Sequence, residues 1–407
     1  MLYDAKYNRE MLDFFTCFAS LPLGYNHPKM LDDEAFKEDL LLAALANPSN
    51  SAIYTTLYAK FVDTFSRLGI PAYLPHAFFI SGGGLAVENA LKTAMDWKVQ
   101  KNFEKGYLKE RGFKVIHFQN AFHGRTGYTL SLTNTEPEKT KWFAKFNWPR
   151  VDVPYIEFPF TDESYEDLLR REKLSLAQVE KAFADNRDDI CAIIIEPIQS
   201  EGGDNHIRKE FLEELRILAD ENDALLIYDE IQTGVGLTGK FWCHEHFGVK
   251  ARPDILAFGK KMQVCGILAG DKIDEVKTNV FKAPSRINST LGGNLVDMVR
   301  ATKILQIIED DNLVRQAEDM GEYLQQELLV LADRNTIISN VRGRGLLAAF
   351  DFPNRDARDL FLKKSLEKNM LFLGCGEKSI HLRPALIIEQ RDIDKGIGRM
   401  NEVLKMC

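Results

Sequence analysis

The sequence predicts an α/β fold: a large domain on a mostly parallel sheet flanked by helices, followed by a smaller α+β domain. Three observations carry this. From about residue 78 to residue 288, short apolar runs alternate with amphipathic stretches at helical spacing. After Asn294 that rhythm gives way to a long helical pattern and then to short strand-like runs. The 407 residues, 45% of them hydrophobic, are enough to fill a core of that size.

The elements follow in chain order. Residues 78–80, 114–118, 191–195, 224–228 and 255–258 predict strands, because short, largely apolar runs suit a sheet covered on both faces. Residues 84–102 and 211–221 predict helices, with Gly82-Gly83-Gly84 as the strand-to-helix turn before the first. Sites on such a sheet gather at the C-terminal ends of the strands. Beyond Asn294, residues 295–332 predict one long helix, 337–352 and 370–373 short strands, and 392–404 a closing helix. We expect an N-terminal segment (1–45) packing with the small domain, a large domain (46–290) and a C-terminal small domain (291–407).

Composition excludes several classes of function. A net charge of -8 with a pI near 5.6 argues against a phosphate-tracking nucleic-acid surface, and Lys139, Lys141 and Lys145 read as a solvated face. No apolar run approaches the ~18 residues of a membrane helix, and the N-terminus lacks a signal-like stretch, so a cytoplasmic protein without membrane partners is expected. The cysteines at 17, 191, 243, 265, 375 and 407 show no CxxC spacing and read as reduced thiols. Cys243-His244-Glu245-His246 cannot easily converge on one ion from a single short segment, so no metal is expected.

Four stretches can carry chemistry. In Ser81-Gly82-Gly83-Gly84 the glycines let the backbone approach an anion, and the following helix supplies free N–H groups and a positive dipole end. Alone, such a run is more often a tight turn, and it matches neither the dinucleotide fingerprint nor the P-loop. Asn120 to Arg125 offers Phe122 as a flat ring for stacking and the Arg125 guanidinium for a bidentate grip on a carboxylate. Glu196 and Glu201 follow a predicted strand on the same sheet edge, where acidic residues are usually solvated or capping. Asp229 closes the run 224–229, and Lys260 stands at the end of the next strand-loop unit. A carboxylate at a strand end can keep a pyridine nitrogen protonated while a lysine forms a Schiff base with an aldehyde, which together suggest pyridoxal phosphate. Asp229-Glu230 also looks like the magnesium-binding strand of a P-loop ATPase, but no Walker loop accompanies it.

In this order and spacing the four stretches resemble the class III (ω-) aminotransferases of the fold type I pyridoxal phosphate superfamily, over essentially the whole chain. Within that family the chain is similar to the L-lysine 6-aminotransferases, through residues 13–20 (DFFTCFAS), 47–51 (NPSNS), 123–135 (HGRTGYTLSLTNT), 258–266 (FGKKMQVCG) and 284–290 (PSRINST). The resemblance implies pyridoxal 5'-phosphate as cofactor, with Gly83 and Gly84 cradling its phosphate, Phe122 stacking on its ring, Asp229 pairing with the ring nitrogen and Gln232 reaching the ring hydroxyl. Lys260 would be the Schiff-base lysine and proton shuttle when the count starts from Asp254, whereas counting back from Gly266 selects Lys261. Thr290 would reach the phosphate of a neighbouring subunit, implying a homodimer with shared active sites.

The activity so implied moves the terminal amine of L-lysine to 2-oxoglutarate, giving L-glutamate and 2-aminoadipate 6-semialdehyde, which cyclises. Arg125 would grip the α-carboxylate, while Glu201 would mask a carboxylate-binding arginine in one half-reaction and swing away in the other. The sequence departs from the family where Arg-Phe-x-Pro is usual, reading His381-Leu382-Arg383-Pro384. Either Arg383 supplies the guanidinium from the same face of an extended segment, or His381 meets the ligand as a single pH-dependent donor. The chain starts close to Asp13, so an N-terminal strand usual in the family is expected to be shortened or absent. Ornithine, 4-aminobutyrate or a diamine as donor, and a non-catalytic pyridoxal phosphate-binding protein, are the alternatives.

Overall fold

The computed structural model describes residues 1–407. Its centre is a seven-stranded sheet in the order His76–Ile80, Cys265–Ala269, Ile255–Phe258, Leu225–Asp229, Ile190–Ile195, Lys114–Phe118, Arg150–Val151. Only Cys265–Ala269 runs against the others, antiparallel to both of its neighbours. It was not among the predicted strands, because its apolar run follows the Lys260–Met262 turn too closely to read as a separate element. The C-terminal ends of the other strands share one edge, which brings residues from five separate stretches to a common place.

The strands alternate faces with period two, and both faces are dry. Ile193, Ile195, Leu226, Tyr228, Leu256 and Phe258 join the larger core, while Ala192, Ile194, Leu225, Ile227, Ile255 and Ala257 join the smaller one. The larger core is closed by the helices Thr56–Leu68, Asp162–Asp185 and Lys209–Glu221, whose Phe61, Val179 and Phe211 pack into it. The helix Gly83–Glu104 covers the smaller core through Val87, Ala90, Leu91, Ala94 and Trp97.

After the large sheet the chain forms two helices, Leu295–Asp310 and Leu313–Arg334, where one was predicted. The break falls at Asn312, a left-handed residue (φ 51°) of the type that tolerates this conformation, and apolar periodicity on either side does not register it. A four-stranded antiparallel sheet follows, ordered Ser339–Arg344, Leu347–Asp351, Ser379–Leu382, Leu373–Cys375, with the helices Arg355–Glu367 and Gln390–Leu404. The N-terminus makes a short hairpin, Leu2–Asp4 with Arg9–Asp13, whose second strand pairs in parallel with Met370–Leu371. The hairpin is thus a three-residue strand beside a five-residue one.

Past the hairpin, Thr16 to Ala19 are four successive non-glycine residues at positive φ. Left-handed residues cost roughly 1–2 kcal/mol each, so this turn must be held by its surroundings. Asp13 Oδ1 accepts from the backbone N–H groups of Phe15 and Thr16, both at 2.8 Å, and Thr16 Oγ1 donates to Arg383 O at 2.6 Å. The turn thereby ties the N-terminal segment to the end of the strand Ser379–Leu382 and sets Phe18 beside the central cavity.

Candidate active site

A cavity of about 690 Å³ opens at the C-terminal edge of the large sheet. Gly83, Gly84, Phe122, Arg125, Glu201, Asp229, Gln232, Lys260, His381 and Arg383 all line it. Of the residues singled out in the sequence, Thr290 stays outside, as does Lys261 of the lysine doublet. Thr290 is exposed, on the turn that follows Ile287 and that Asn50 holds through a 3.1 Å bond from its N–H to Leu291 O.

At one end lies the start of the helix Gly83–Glu104. Gly82 sits at φ 107°, which frees the first amides of the helix to face the cavity. A Cβ on Gly83 would meet Ile231 Cδ1 at 3.0 Å, and one on Gly84 would meet Thr126 Cγ2 at 3.3 Å. Gly124, at φ 118°, comes so close that its own Cβ would stand 2.7 Å from Gly84 Cα. The cradle is shaped by the absence of side chains at all three positions.

Asp229 ends its strand 4% exposed. Its Oδ2 lies 2.8 Å from His123 Nδ1 and its Oδ1 accepts from Ile231 N at 3.1 Å. His123 belongs to the Asn120–Arg125 stretch but was given no role there; only the fold shows it to be the partner that orients the carboxylate. Close by, Glu196 accepts from the N–H groups of Phe122 (3.0 Å) and Ser200 (3.2 Å). Burial pushes its carboxyl up to about 7, His123 opposing and Asp229 reinforcing the shift.

The lysine doublet is divided by the backbone. Lys260, at φ 47°, turns its side chain into the cavity, where Nζ donates to Gln232 Oε1. Lys261 is 1% exposed, is not part of the lining, and donates to the carbonyl of Gln232. Burial lowers the Lys260 ammonium below the usual lysine range, against the pull of Asp229 and Glu196. Lys261 is lowered well below that range, by burial and then by the charge of Lys260.

The His381 and Arg383 alternatives turn out to share a partner that the sequence reading missed. Both side chains are on the same side, 3.2 Å apart between Arg383 Nη2 and His381 Nδ1, and Arg383 is ion-paired with Asp204. Arg383 and Asp204 are 1% and 0% exposed at their side chains. Burial would raise the Asp204 carboxyl, but the charge of Arg383 and the His381 contact hold it at about 2. His381 is lowered from the usual histidine range by burial and by Arg383.

Glu201 stands away from Arg383 and His381 in this structure, the swung-out position of the expected pair: it accepts from Thr135 Oγ1 at 2.7 Å and pairs with Lys139. Lys139 is accordingly no part of a solvated face but a wall of the cavity, with Nζ 5.9 Å from the centre of the Phe122 ring. Arg125, exposed, stands at the same distance from that ring and enters no ion pair. The Cys243–Phe247 segment disperses: His244 Nδ1 meets Glu230 Oε1 at 2.7 Å and His246 Nε2 meets Thr238 O at 3.0 Å.

The family model described as aminotransferase class-III matches residues 1–404. The chain belongs to the class-III aminotransferases. Among the relatives of this class-III aminotransferase is the L-lysine-epsilon aminotransferase of Mycobacterium tuberculosis, 48% identical over 405 residues, spanning 99% of this chain and 89% of that protein. The protein of the same description from Amycolatopsis lactamdurans is 45% identical over 398 residues, 97% of this chain and 88% of its own. The solved lysine aminotransferase of M. tuberculosis superposes with a TM-score of 0.96 at 46% identity, covering 100% of this chain and 92% of that one.

The cofactor of this class-III aminotransferase is pyridoxal 5'-phosphate. The lining fits it. The side-chain-free cradle suits a phosphate at a helix N-terminus, the strand-end carboxylate suits a pyridine nitrogen, and Phe122 offers a ring face. His123 Nε2 and Ser200 Oγ are buried in this lining without partners, leaving polar capacity that an apolar group would waste.

Proposed function

We propose that this class-III aminotransferase transfers the ε-amino group of L-lysine to 2-oxoglutarate, releasing L-glutamate and 2-aminoadipate 6-semialdehyde, which cyclises. The observation that carries this reading is the 45–48% identity to proteins named L-lysine-epsilon aminotransferase across nearly the whole chain. The cavity suits it: cations stand at separate positions, Arg125 exposed and Arg383 buried, for substrates that carry carboxylates at different distances from the reacting carbon.

Pyridoxal phosphate supplies, when bound, an aldehyde that condenses with amines and a ring that accepts the electron pair left by a departing proton. Asp229, fixed by His123 and Ile231 N, would hold a proton on the ring nitrogen. Lys260 would attach the cofactor and, once displaced, take the proton from the substrate carbon that bears the transferred amine. Its burial favours the neutral amine that this step needs. Gly83 and Gly84 would hold the phosphate, Phe122 would cover one ring face, and Gln232 would turn from Lys260 to the ring hydroxyl. Arg125 would grip the lysine α-carboxylate, while Arg383, with His381 beside it, would meet the acceptor.

A homodimer belongs to the same reading, because Thr290 is exposed and away from its own cavity, where it is free to reach a second copy's phosphate. Exposed Leu41, Leu42, Leu45 and Tyr54 give such a contact apolar area. No helix is long and apolar enough to cross a membrane. The scattered free cysteines favour the cytoplasm.

The test is spectroscopic. Adding L-lysine to the yellow holoenzyme bleaches it, and 2-oxoglutarate restores the colour, with the cyclised aldehyde identified by mass. Faster bleaching by ornithine, 4-aminobutyrate or a diamine than by L-lysine overturns the donor, and no bleaching with any amine overturns catalysis.

A further inference from the structure

The carboxylate of Glu201 sits in a defined seat. Its Oε1 accepts from the Thr135 hydroxyl at 2.7 Å and pairs with Lys139 Nζ. Lys139 has a second carboxylate beside it, Glu136 at 3.2 Å. The seat faces the cavity beside Phe122, whose ring centre is 5.9 Å from Nζ.

Two lysine or arginine ion pairs border this cavity, Lys139–Glu201 with both members in the lining and Arg383–Asp204 through Arg383 alone, and they differ in how easily they open. The side chains of Lys139 and Glu201 are 19% and 33% exposed, so solvent screens their attraction and either can be exchanged at little cost. Arg383 and Asp204 are buried beyond that reach, and removing either from the other strands a charge. A dry arginine pair is a fixed feature, whereas a partly exposed ammonium and hydroxyl that already hold one carboxylate can hold another in its place.

We propose that Lys139 and Thr135 form a carboxylate seat, held by Glu201 in this structure and taken over by the substrate carboxylate remote from the reacting carbon, with Arg125, at the same distance from the Phe122 ring, as that carboxylate's second cation. Lys139 is then a specificity-determining residue. The inference rests on the lysine and 2-oxoglutarate reading, since both compounds carry such a carboxylate. Exchange leaves the charge at Lys139 unchanged, because one carboxylate arrives as another departs. The displaced Glu201 is free to meet the α-ammonium of L-lysine, a group that 2-oxoglutarate lacks, so one pocket accommodates both.

The probe is glutarate, a dicarboxylate without a reacting carbonyl, titrated calorimetrically into holoenzyme. Lys139→Met keeps the aliphatic stem and removes the charge; it should weaken glutarate binding by about tenfold or more, while Lys139→Arg stays within about threefold of the parent. In kinetics, Lys139→Met should lower kcat/KM for L-lysine by about tenfold, chiefly through KM, and leave cadaverine, which is lysine without its carboxylate, within about twofold. Equal glutarate affinity in parent and Lys139→Met, or no glutarate binding by the parent, overturns the seat. Glutarate binding that depends on Lys139 in an enzyme inert toward L-lysine and cadaverine overturns the donor reading and leaves the seat standing.

Discussion

His123 Nδ1 lies 2.8 Å from Asp229 Oδ2, with the two side chains 0% and 5% exposed. The contact joins the loop after Lys114–Phe118 to the end of Leu225–Asp229, two strands that are not neighbours in the sheet. A histidine held so close orients the carboxylate without needing to touch a bound ring's nitrogen itself. Replacing His123 with Phe removes one buried hydrogen bond to a charged group, worth about 1.5–3 kcal/mol, and should lower kcat by roughly 10- to 100-fold. Asp229→Asn should cost more than that. A His123→Phe enzyme with the parent's kcat would show that Asp229 is positioned by other contacts.

The separation of Lys260 from Lys261 gives a direct chemical test. Borohydride reduction of the holoenzyme followed by peptide mass spectrometry should find the cofactor on Lys260. Lys260→Ala should lower transamination by about 10²–10⁴-fold or more, through loss of the proton-transfer group. Label on Lys261 in the unmodified protein would reverse the assignment.

Glu196 links stability to pH with a definite sign. Its folded carboxyl titrates near 7 against a usual 4.5, so between those values the folded protein holds a proton that the unfolded chain has released. Stability of the apoprotein should therefore fall as pH rises from about 4.5 to 7, and Glu196→Gln should remove that decline. Chemical denaturation at pH 5 and pH 7 measures it, and an unchanged difference in the variant would exclude Glu196 as the source.

Arg383→Ala should leave Asp204 charged in a dry site with only the His381 contact, at a cost of about 3–5 kcal/mol. The double variant Arg383→Met with Asp204→Leu should recover much of that loss. Since acceptor binding in our reading also needs Arg383, the double variant should stay folded yet respond poorly to 2-oxoglutarate. An unchanged 2-oxoglutarate response would end its role as the acceptor's clamp, and comparison with His381→Ala would show whether the imidazole carries it.

Much of this protein is legible in its residue order. Apolar runs bounded by turns give five strands of the large sheet, and the Asp229, Lys260 and Gly82-Gly83-Gly84 stretches reach one cavity because parallel strands present their C-terminal ends together. The class-III resemblance was readable for the same reason, in long runs rather than single residues. What stayed hidden depends on side chains meeting across the fold. Lys139 looks like any lysine in a charged loop until Glu201 is found against it, and Asp204 looks like a turn residue until Arg383 is buried on it.

The sequence by itself determined five of the seven strands of the large sheet, the cofactor chemistry and the family, since each is written in local pattern and spacing. Only the tertiary structure decided which lysine of the doublet enters the cavity, which cation holds Glu201, and that Arg383 is locked to Asp204. Those outcomes turn on backbone dihedrals at Lys260 and on which charges are dry and which are wetted. Neither quantity belongs to a residue alone; both arise when separate segments pack.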